Sequence, residues 1–468
     1  MEIQNLLEET KKKLNKISPS LCAAKWERLT LYLYNGYNHS CHHPIPHKIP
    51  LEEIKNNPAA LHNTLFKKNV RKQMCNGIQP DECSYCWEVE KLGQTSDRIY
   101  KSSYDYSQQF LEQTEVKTST ELAEQDYYPS YVEIAFDYTC NFKCMYCGPA
   151  ISSSIYQDIL LNGPYPVKTF NNDIENIKDK LPNKEISKVY LKAFWNWWPT
   201  LKDNLHTLRI TGGEPLLSKD MWKLLDAVIS DPLPNINICI NTNLGQQPEL
   251  INKFIHKCNQ LENKVKSLTI YHSIDTGIPH HAEYIRKGLD YRLYCNNLEN
   301  LCQNINWPVN IICMITVTNI SAIGLQALLK YIFALRSQFC NIHNISFETT
   351  HLHDPEFMQV RLGNDYTTTY INNALTFVKN ITAEHRLKNA PLDLQNIYKK
   401  YYKQFPYFTE KNFLKMKRLL SFTQSNFTKE KETFLKKEFN SFFKEYDKRH
   451  NLNFTKTFPE IKDFFHLN

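Results

Sequence analysis

Three cysteines stand close together in the segment YTCNFKCMYCGP, at Cys140, Cys144 and Cys147. The C-x3-C-x2-C spacing lets one loop present three thiolates to a single group. Three protein ligands on a four-iron cluster leave one iron without a protein ligand. That open iron can bind a small molecule, the logic that separates catalytic from structural metal sites. A zinc knuckle whose fourth ligand comes from elsewhere is the competing chemistry.

A second set lies nearer the N-terminus. Thirteen residues separate Cys22 from Gly36 and four more precede Cys41; Cys83-Ser84-Tyr85-Cys86 follows later. Four thiolates can close a cluster completely, and they equally suit structural zinc. Cys75 is a spare thiol able to replace one of the four. His39, His42, His43 and His47 surround Cys41 and read as exposed loop residues rather than ligands. Cys239, Cys258, Cys295, Cys302, Cys313 and Cys340 show no metal spacing. Cys239 and Cys313 lie in apolar runs and read as buried small hydrophobes.

Glycine is scarce, 12 residues against 14 cysteines in a chain of 468. The pair Gly212-Gly213 in TGGEP (211–215) is therefore a placed feature, suited to close backbone approach.

The elements that must hold these residues follow from the apolar pattern. Strands are expected at Tyr131–Asp137, Thr207–Thr211, Asn235–Asn241, Ser267–Ile274, Val309–Val317 and His343–Thr350, with helical stretches between most of them. Repeated strand–helix units argue for an α/β domain with a parallel sheet, barrel-like or open, and such folds place sites at the carboxyl ends of strands. The cysteine loop, TGGEP, NTNLG (241–245) and HSIDTG (272–277) each end a strand. LTLYLYNGYNHSC reads as a hairpin around Asn35-Gly36. A helix is expected from Leu51 to Lys72, and an extra packed helix at KAFWNWWP. The organisation expected is 1–104 as a cysteine-bearing N-terminal domain, 105–128 as a polar linker, 129–355 as the α/β domain and 356–468 as a helical, Lys-rich extension. Aromatic residues of that extension read as packing helices over the barrel mouth, with a base-stacking surface as the sharper alternative.

With these motifs the chain resembles the radical SAM superfamily, whose motif is C-x3-C-x-aromatic-C; Tyr146 fills the aromatic place. The resemblance implies a partial (β/α)6 TIM-like barrel in which Cys140, Cys144 and Cys147 hold a 4Fe-4S cluster. It implies that Gly212, Gly213 and Glu214 lie beside the methionyl amino group of S-adenosylmethionine. NTNLG, with Asn241 and Asn243, is similar to the family's Thr-Asn-Gly segment, with Leu244 inserted. Ser273 and Asp275 are candidates for the cofactor's ribose or carboxylate, and a strand-end Asp is equally a turn or helix cap. Arg286, in HAEYIRKGLDYRLYCNNL, is a candidate partner for a carboxylate of cofactor or substrate, or a solvated surface residue. The set Cys22, Cys41, Cys83 and Cys86 resembles the SPASM or twitch module that carries an auxiliary 4Fe-4S cluster. That module follows the barrel in better-known members and precedes it here.

The family's chemistry is reductive cleavage of S-adenosylmethionine to a 5′-deoxyadenosyl radical, which takes hydrogen from a substrate. The partners implied are a reductant such as flavodoxin or ferredoxin and a peptide or protein substrate. A small polar molecule (sugar, aminocyclitol or nucleotide) is the alternative. A non-catalytic metal- or nucleic-acid-binding protein with a four-cysteine zinc site is the reading from another class.

Composition fits a folded enzyme: 42% hydrophobic and 22% charged residues exclude wholesale disorder. The N-terminal segment MEIQNLLEETKKKLNK reads as a charged amphipathic helix, not a signal peptide, and no run approaches 18 apolar residues. A cytoplasmic location is therefore expected, with no membrane partner and with thiols reduced. The net charge of +7 is uneven: from Arg386 onward there are 18 Lys and Arg against 9 Asp and Glu. That balance suits either solvated amphipathic helices or an acidic or nucleic-acid partner.

Overall fold

The strand pattern is clearest in NIICMITV, where Ile311, Cys313, Ile315 and Val317 are all buried and alternate with half-buried positions. The computed structural model describes residues 2–114, 119–170, 172–382 and 408–462. The chain divides into two units. One comprises Met1–Asp137, Pro182–Gly212 and Ser230–Cys239; the other comprises Tyr138–Leu181, Gly213–Ile229 and Ile240–Asn468.

In the first unit, β1 (Arg28–Tyr32) turns through Gly36 (φ +70°) into β2 (Tyr37–His39), which pairs antiparallel with β3 (His47–Lys48). The expected hairpin is present, and it does something the local pattern does not encode. β1 pairs in parallel with β4 (Tyr131–Ala135), in register from Arg28↔Tyr131 to Tyr32↔Ala135. β4 pairs in parallel with β6 (Thr207–Thr211). The order is β3-β2-β1-β4-β6, followed by β7 (Leu233–Thr242).

Two expectations are corrected here. The single helix from Leu51 to Lys72 is three pieces: Leu51–Asn56, a 3-10 turn Pro58–Leu61, and Leu65–Cys75 capped by the Thr64 hydroxyl. Pro58 has no N–H to give the helix and forces Asn57 into extended backbone. The polar stretch 105–128 holds helices Asp105–Thr114 and Ser119–Glu124. Phe110, Leu111, Leu122 and Ala123 are buried, and Trp26 Nε1 donates to the Leu122 carbonyl at 2.7 Å. The aromatic helix is where it was expected, at Lys184–Leu201, with Tyr190, Phe194 and Trp197 fully buried.

In the second unit, β8 (Val265–Ser273), β10 (Asn310–Val317) and β11 (Asn344–His351) run parallel side by side. A separate two-stranded pairing joins β5 (Lys143–Cys144) to β9 (Arg286–Lys287). The long helix Lys429–His450 buries Phe439, Phe442, Phe443 and Tyr446, each worth about 1.5–3 kcal/mol of burial, against Met145, Tyr165, Tyr284 and Phe357. The Tyr446 hydroxyl, with one proton shared between the Tyr284 carbonyl at 3.1 Å and the Lys143 carbonyl at 3.4 Å, bridges the helix Pro279–Ile285 and β5. Rings buried this way cannot stack on bases. Part of the basic C-terminal stretch, 386–407 and 463–468, lies outside the described residues. No described helix is long and apolar enough to cross a membrane.

Candidate metal centres

The loop after β4 carries Cys140, Cys144 and Cys147, all half-buried. Its shape is set locally. Ser153 Oγ accepts from Cys140 N at 3.0 Å, Ser154 Oγ donates to the Cys140 carbonyl at 2.5 Å, and Cys147 N donates to the Cys144 carbonyl at 2.9 Å. Burial pushes all three thiols up, Cys144 to about 12, so the free residues are neutral and must lose protons to bind metal.

Across β5 and β9, Cys144 pairs with Arg286. The guanidinium is buried and forks onto Asp275: Nε to Oδ2 at 2.8 Å and Nη2 to Oδ1 at 2.9 Å. Tyr146 Oη donates to the same carboxylate at 2.8 Å, as does Thr316 N at 3.1 Å. Arg286 Nη1 lies 3.9 Å from Cys144 Sγ. Asp275 and Arg286 are each other's partners and link the cysteine loop to the end of β8. Ser273 closes β8 itself.

Glycine and glutamate in TGGEP are also turned inward. A Cβ on Gly213 would meet the carbonyl oxygens of Tyr138 and Thr139, and one on Gly212 (φ +133°) would lie 2.5 Å from the Asp137 carbonyl. Glycine here allows close approach of the backbone leading into the cysteine loop. Glu214 is 2% exposed and accepts from Thr242 Oγ1 (2.8 Å), Asn243 N (2.6 Å) and Leu216 N (3.1 Å). Burial nevertheless pushes its carboxyl up to about 7. Glu214 thus ties TGGEP to NTNLG. Asn243 Nδ2 donates to Asn141 Oδ1 at 2.9 Å, and Asn141 Nδ2 donates to the Gly245 carbonyl at 3.0 Å. The inserted Leu244 is accommodated by left-handed backbone (φ 51°), its amide bonded to Thr242 Oγ1 at 3.1 Å. Asn241 sits one residue before the end of β7. Sequence reasoning missed Asn141, Thr316 and the Ser153–Ser154 pair, none of which carries a motif.

In the first unit, Cys22, Cys41, Cys83 and Cys86 line one pocket together with Lys25, Arg98 and Lys101. Cys75 is not among its lining residues; it ends the helix Leu65–Cys75 and packs in a core with Trp26 and Met74. Burial raises Cys83 and Cys86 to about 12. Among the described residues, the group of metal-type ligand atoms lying within 4.8 Å of one another is His42, His43 and Asp97. Neither cysteine set gathers three sulfurs that tightly. His42 is poorly arranged for metal: Lys101 Nζ is 2.9 Å from Nδ1, which makes Nδ1 the acceptor and puts the ring proton on Nε2, facing Asp97 at 3.3 Å. Burial lowers His42 to about 4, which keeps the ring neutral.

Residues 136–326 match the family model described as Radical SAM superfamily. The GTP 3′,8-cyclase of Campylobacter jejuni subsp. doylei is 31% identical over 114 residues, 24% of this chain and 27% of that protein. The GTP 3′,8-cyclase of Campylobacter lari is 27% identical over 113 residues, again 24% and 27% of the two chains. The chain thus aligns with about a quarter of the length of these relatives. Among solved structures, Streptococcus suis SuiB bound to S-adenosylmethionine is 15% identical, with 76% of this chain and 70% of that chain covered at TM-score 0.31. SuiB bound to precursor peptide SuiA is 12% identical, with 75% and 69% covered at TM-score 0.33. Scores this low carry no argument about fold or substrate. From the family match over the cysteine loop and the strand ends that follow it, the chain carries a Radical SAM superfamily domain at residues 136–326, and members of that superfamily are enzymes.

Proposed function

We propose that this chain is a radical SAM enzyme that acts on a peptide or protein and carries an auxiliary 4Fe-4S cluster in its N-terminal region. The observation that carries the reading is the joining of the half-buried Cys144 and Tyr146 to the buried Asp275–Arg286 pair within the matched domain. Cys140, Cys144 and Cys147 would hold the catalytic cluster; Cys22, Cys41, Cys83 and Cys86 would hold the second. When bound, the catalytic cluster and S-adenosylmethionine supply one-electron cleavage to a 5′-deoxyadenosyl radical that abstracts hydrogen from substrate.

The chain's own residues position and enclose. The Asp275–Arg286 pair fixes the loop and adds no net charge of its own beside Cys144. Gly212 and Gly213 let two strand ends close on each other, and Glu214 and Asn243 lock that closure. The Phe439–Tyr446 face shields the loop from water. A low-potential one-electron donor of the flavodoxin or ferredoxin kind would supply the electron.

A second reading takes a small nucleotide-like substrate. It is favoured by the similarity of a quarter of the chain to GTP 3′,8-cyclases. The test is anaerobic reconstitution with iron and sulfide, followed by dithionite and S-adenosylmethionine. Formation of 5′-deoxyadenosine supports the enzyme reading, and its absence from a fully loaded sample refutes it. Deuterium transfer from a labelled peptide or a labelled nucleotide into 5′-deoxyadenosine separates the two substrate readings.

A further inference from the structure

Charged side chains gather around the four N-terminal cysteines. Lys101 Nζ lies 3.0 Å from Cys41 Sγ. Lys25 and Arg98 line the same pocket and are almost fully buried. Each cation is held by a carboxylate. Arg98 forks onto Glu90 at 2.8 and 2.7 Å and also donates to the Leu21 carbonyl at 2.8 Å. Lys25 pairs with Glu82, and Lys101 sits 3.5 Å from Asp97. Asp97 lines the pocket and Glu82 and Glu90 do not, although Glu82 adjoins Cys83 in the sequence. Met74 and Trp87 make the wall partly apolar, where a nearby charge acts strongly. The radical SAM loop is different. There Arg286, forked onto Asp275 as Arg98 is onto Glu90, has Nη1 3.9 Å from Cys144 Sγ, against 3.0 Å from Lys101 Nζ to Cys41 Sγ, and Lys143 of the loop pairs with Asp158.

We propose that Lys25, Arg98 and Lys101 form a cationic wall that raises the reduction potential of the N-terminal group above that of the group on Cys140, Cys144 and Cys147. The inference rests on the reading of the N-terminal set as a 4Fe-4S site. One-electron reduction adds one negative charge to a group already held by four thiolates. No bond breaks and no proton is needed, because fixed positive charge in contact with sulfur stabilises the added electron.

The test is a redox titration of the reconstituted full chain by electron paramagnetic resonance, with dithionite as reductant and iron and sulfide counted in parallel. The wild type should carry about eight iron per chain, with the wave lost in the Cys83→Ala/Cys86→Ala variant lying at the higher potential. Four iron in the wild type would refute the N-terminal site itself. Eight iron with the order of waves reversed would refute the cationic wall alone. At full loading, Lys101→Met should lower the reduced-to-oxidised ratio of the upper wave about tenfold at fixed potential, about 59 mV for a one-electron couple; Lys101→Arg should restore it. An unmoved upper wave overturns the proposal. Should Lys101→Met fail to load, Asp97→Asn, which removes the counter-charge, should move the same wave upward, and an unmoved or lowered wave overturns it.

Discussion

Arg286 and Cys144 face each other across a two-residue antiparallel pairing, and the guanidinium of Arg286 is held in a fork by Asp275. One arginine therefore joins the cysteine loop to the end of β8. Its charge is answered within the protein by Asp275.

Removing one partner of that pair leaves a buried, uncompensated charge, a loss of about 3–5 kcal/mol. Asp275→Asn should lower the denaturant midpoint of the loaded enzyme and weaken iron retention on the three-cysteine loop. Tyr146→Phe, which removes only the 2.8 Å hydroxyl contact to Asp275, should lose about 1 kcal/mol and keep its iron. Urea titrations of both variants, with iron counted at each point, check the order.

Gly213 is where a single methyl group should do most damage. In Gly213→Ala the new Cβ meets the carbonyls of Tyr138 and Thr139, so the chain entering the cysteine loop must shift. The expected result is a fall of at least tenfold in 5′-deoxyadenosine formation. Gly148→Ala, where a Cβ meets nothing within 4 Å, should change it little. Both variants are compared at equal iron content.

Glu27 gives the first unit a pH dependence. It is buried, accepts from Ser130 Oγ at 2.5 Å, and burial raises its carboxyl from 4.5 to about 7. The folded state therefore holds its proton more tightly than the unfolded state. The resulting stability is full below pH 4.5 and is lost as pH rises to about 7, a change of about 3 kcal/mol. Glu27→Gln should flatten thermal stability across that window. A variant that tracks the wild type over that range would remove Glu27 as the cause.

Much of this was readable in the sequence because strands are local. Alternation in NIICMITV and the Asn35-Gly36 turn need only near neighbours, and the three-cysteine spacing fits a single loop. What was hidden is non-local. Nothing in Arg28–Tyr32 says that it pairs in parallel with a strand a hundred residues away. Nothing in HSIDTG or YIRKG says that Asp275 and Arg286 will meet. The helices at 105–114 and 119–124 are hidden by their polar majority, since Tyr106, Phe110, Leu111, Leu122 and Ala123 are the apolar part of a buried face that also takes Ser107 and Thr114. The break at Pro58 was visible in the residue type and was overridden by the helical look of its flanks.

In the N-terminal pocket, the Cys83→Ala/Cys86→Ala variant should lose about four of eight iron per chain while 5′-deoxyadenosine formation stays measurable. Cys75→Ala should retain all its iron, because Cys75 packs in the core and not on the pocket. Iron analysis of both variants beside the wild type checks this.

The most direct test of the account is single-turnover cleavage of S-adenosylmethionine by the anaerobically reconstituted full chain with dithionite. The account predicts 5′-deoxyadenosine and methionine in equal amounts from the wild type, and none from the Cys140→Ala/Cys144→Ala/Cys147→Ala variant that still holds its N-terminal iron. Equal product from both, or none from a wild type carrying eight iron, would contradict it.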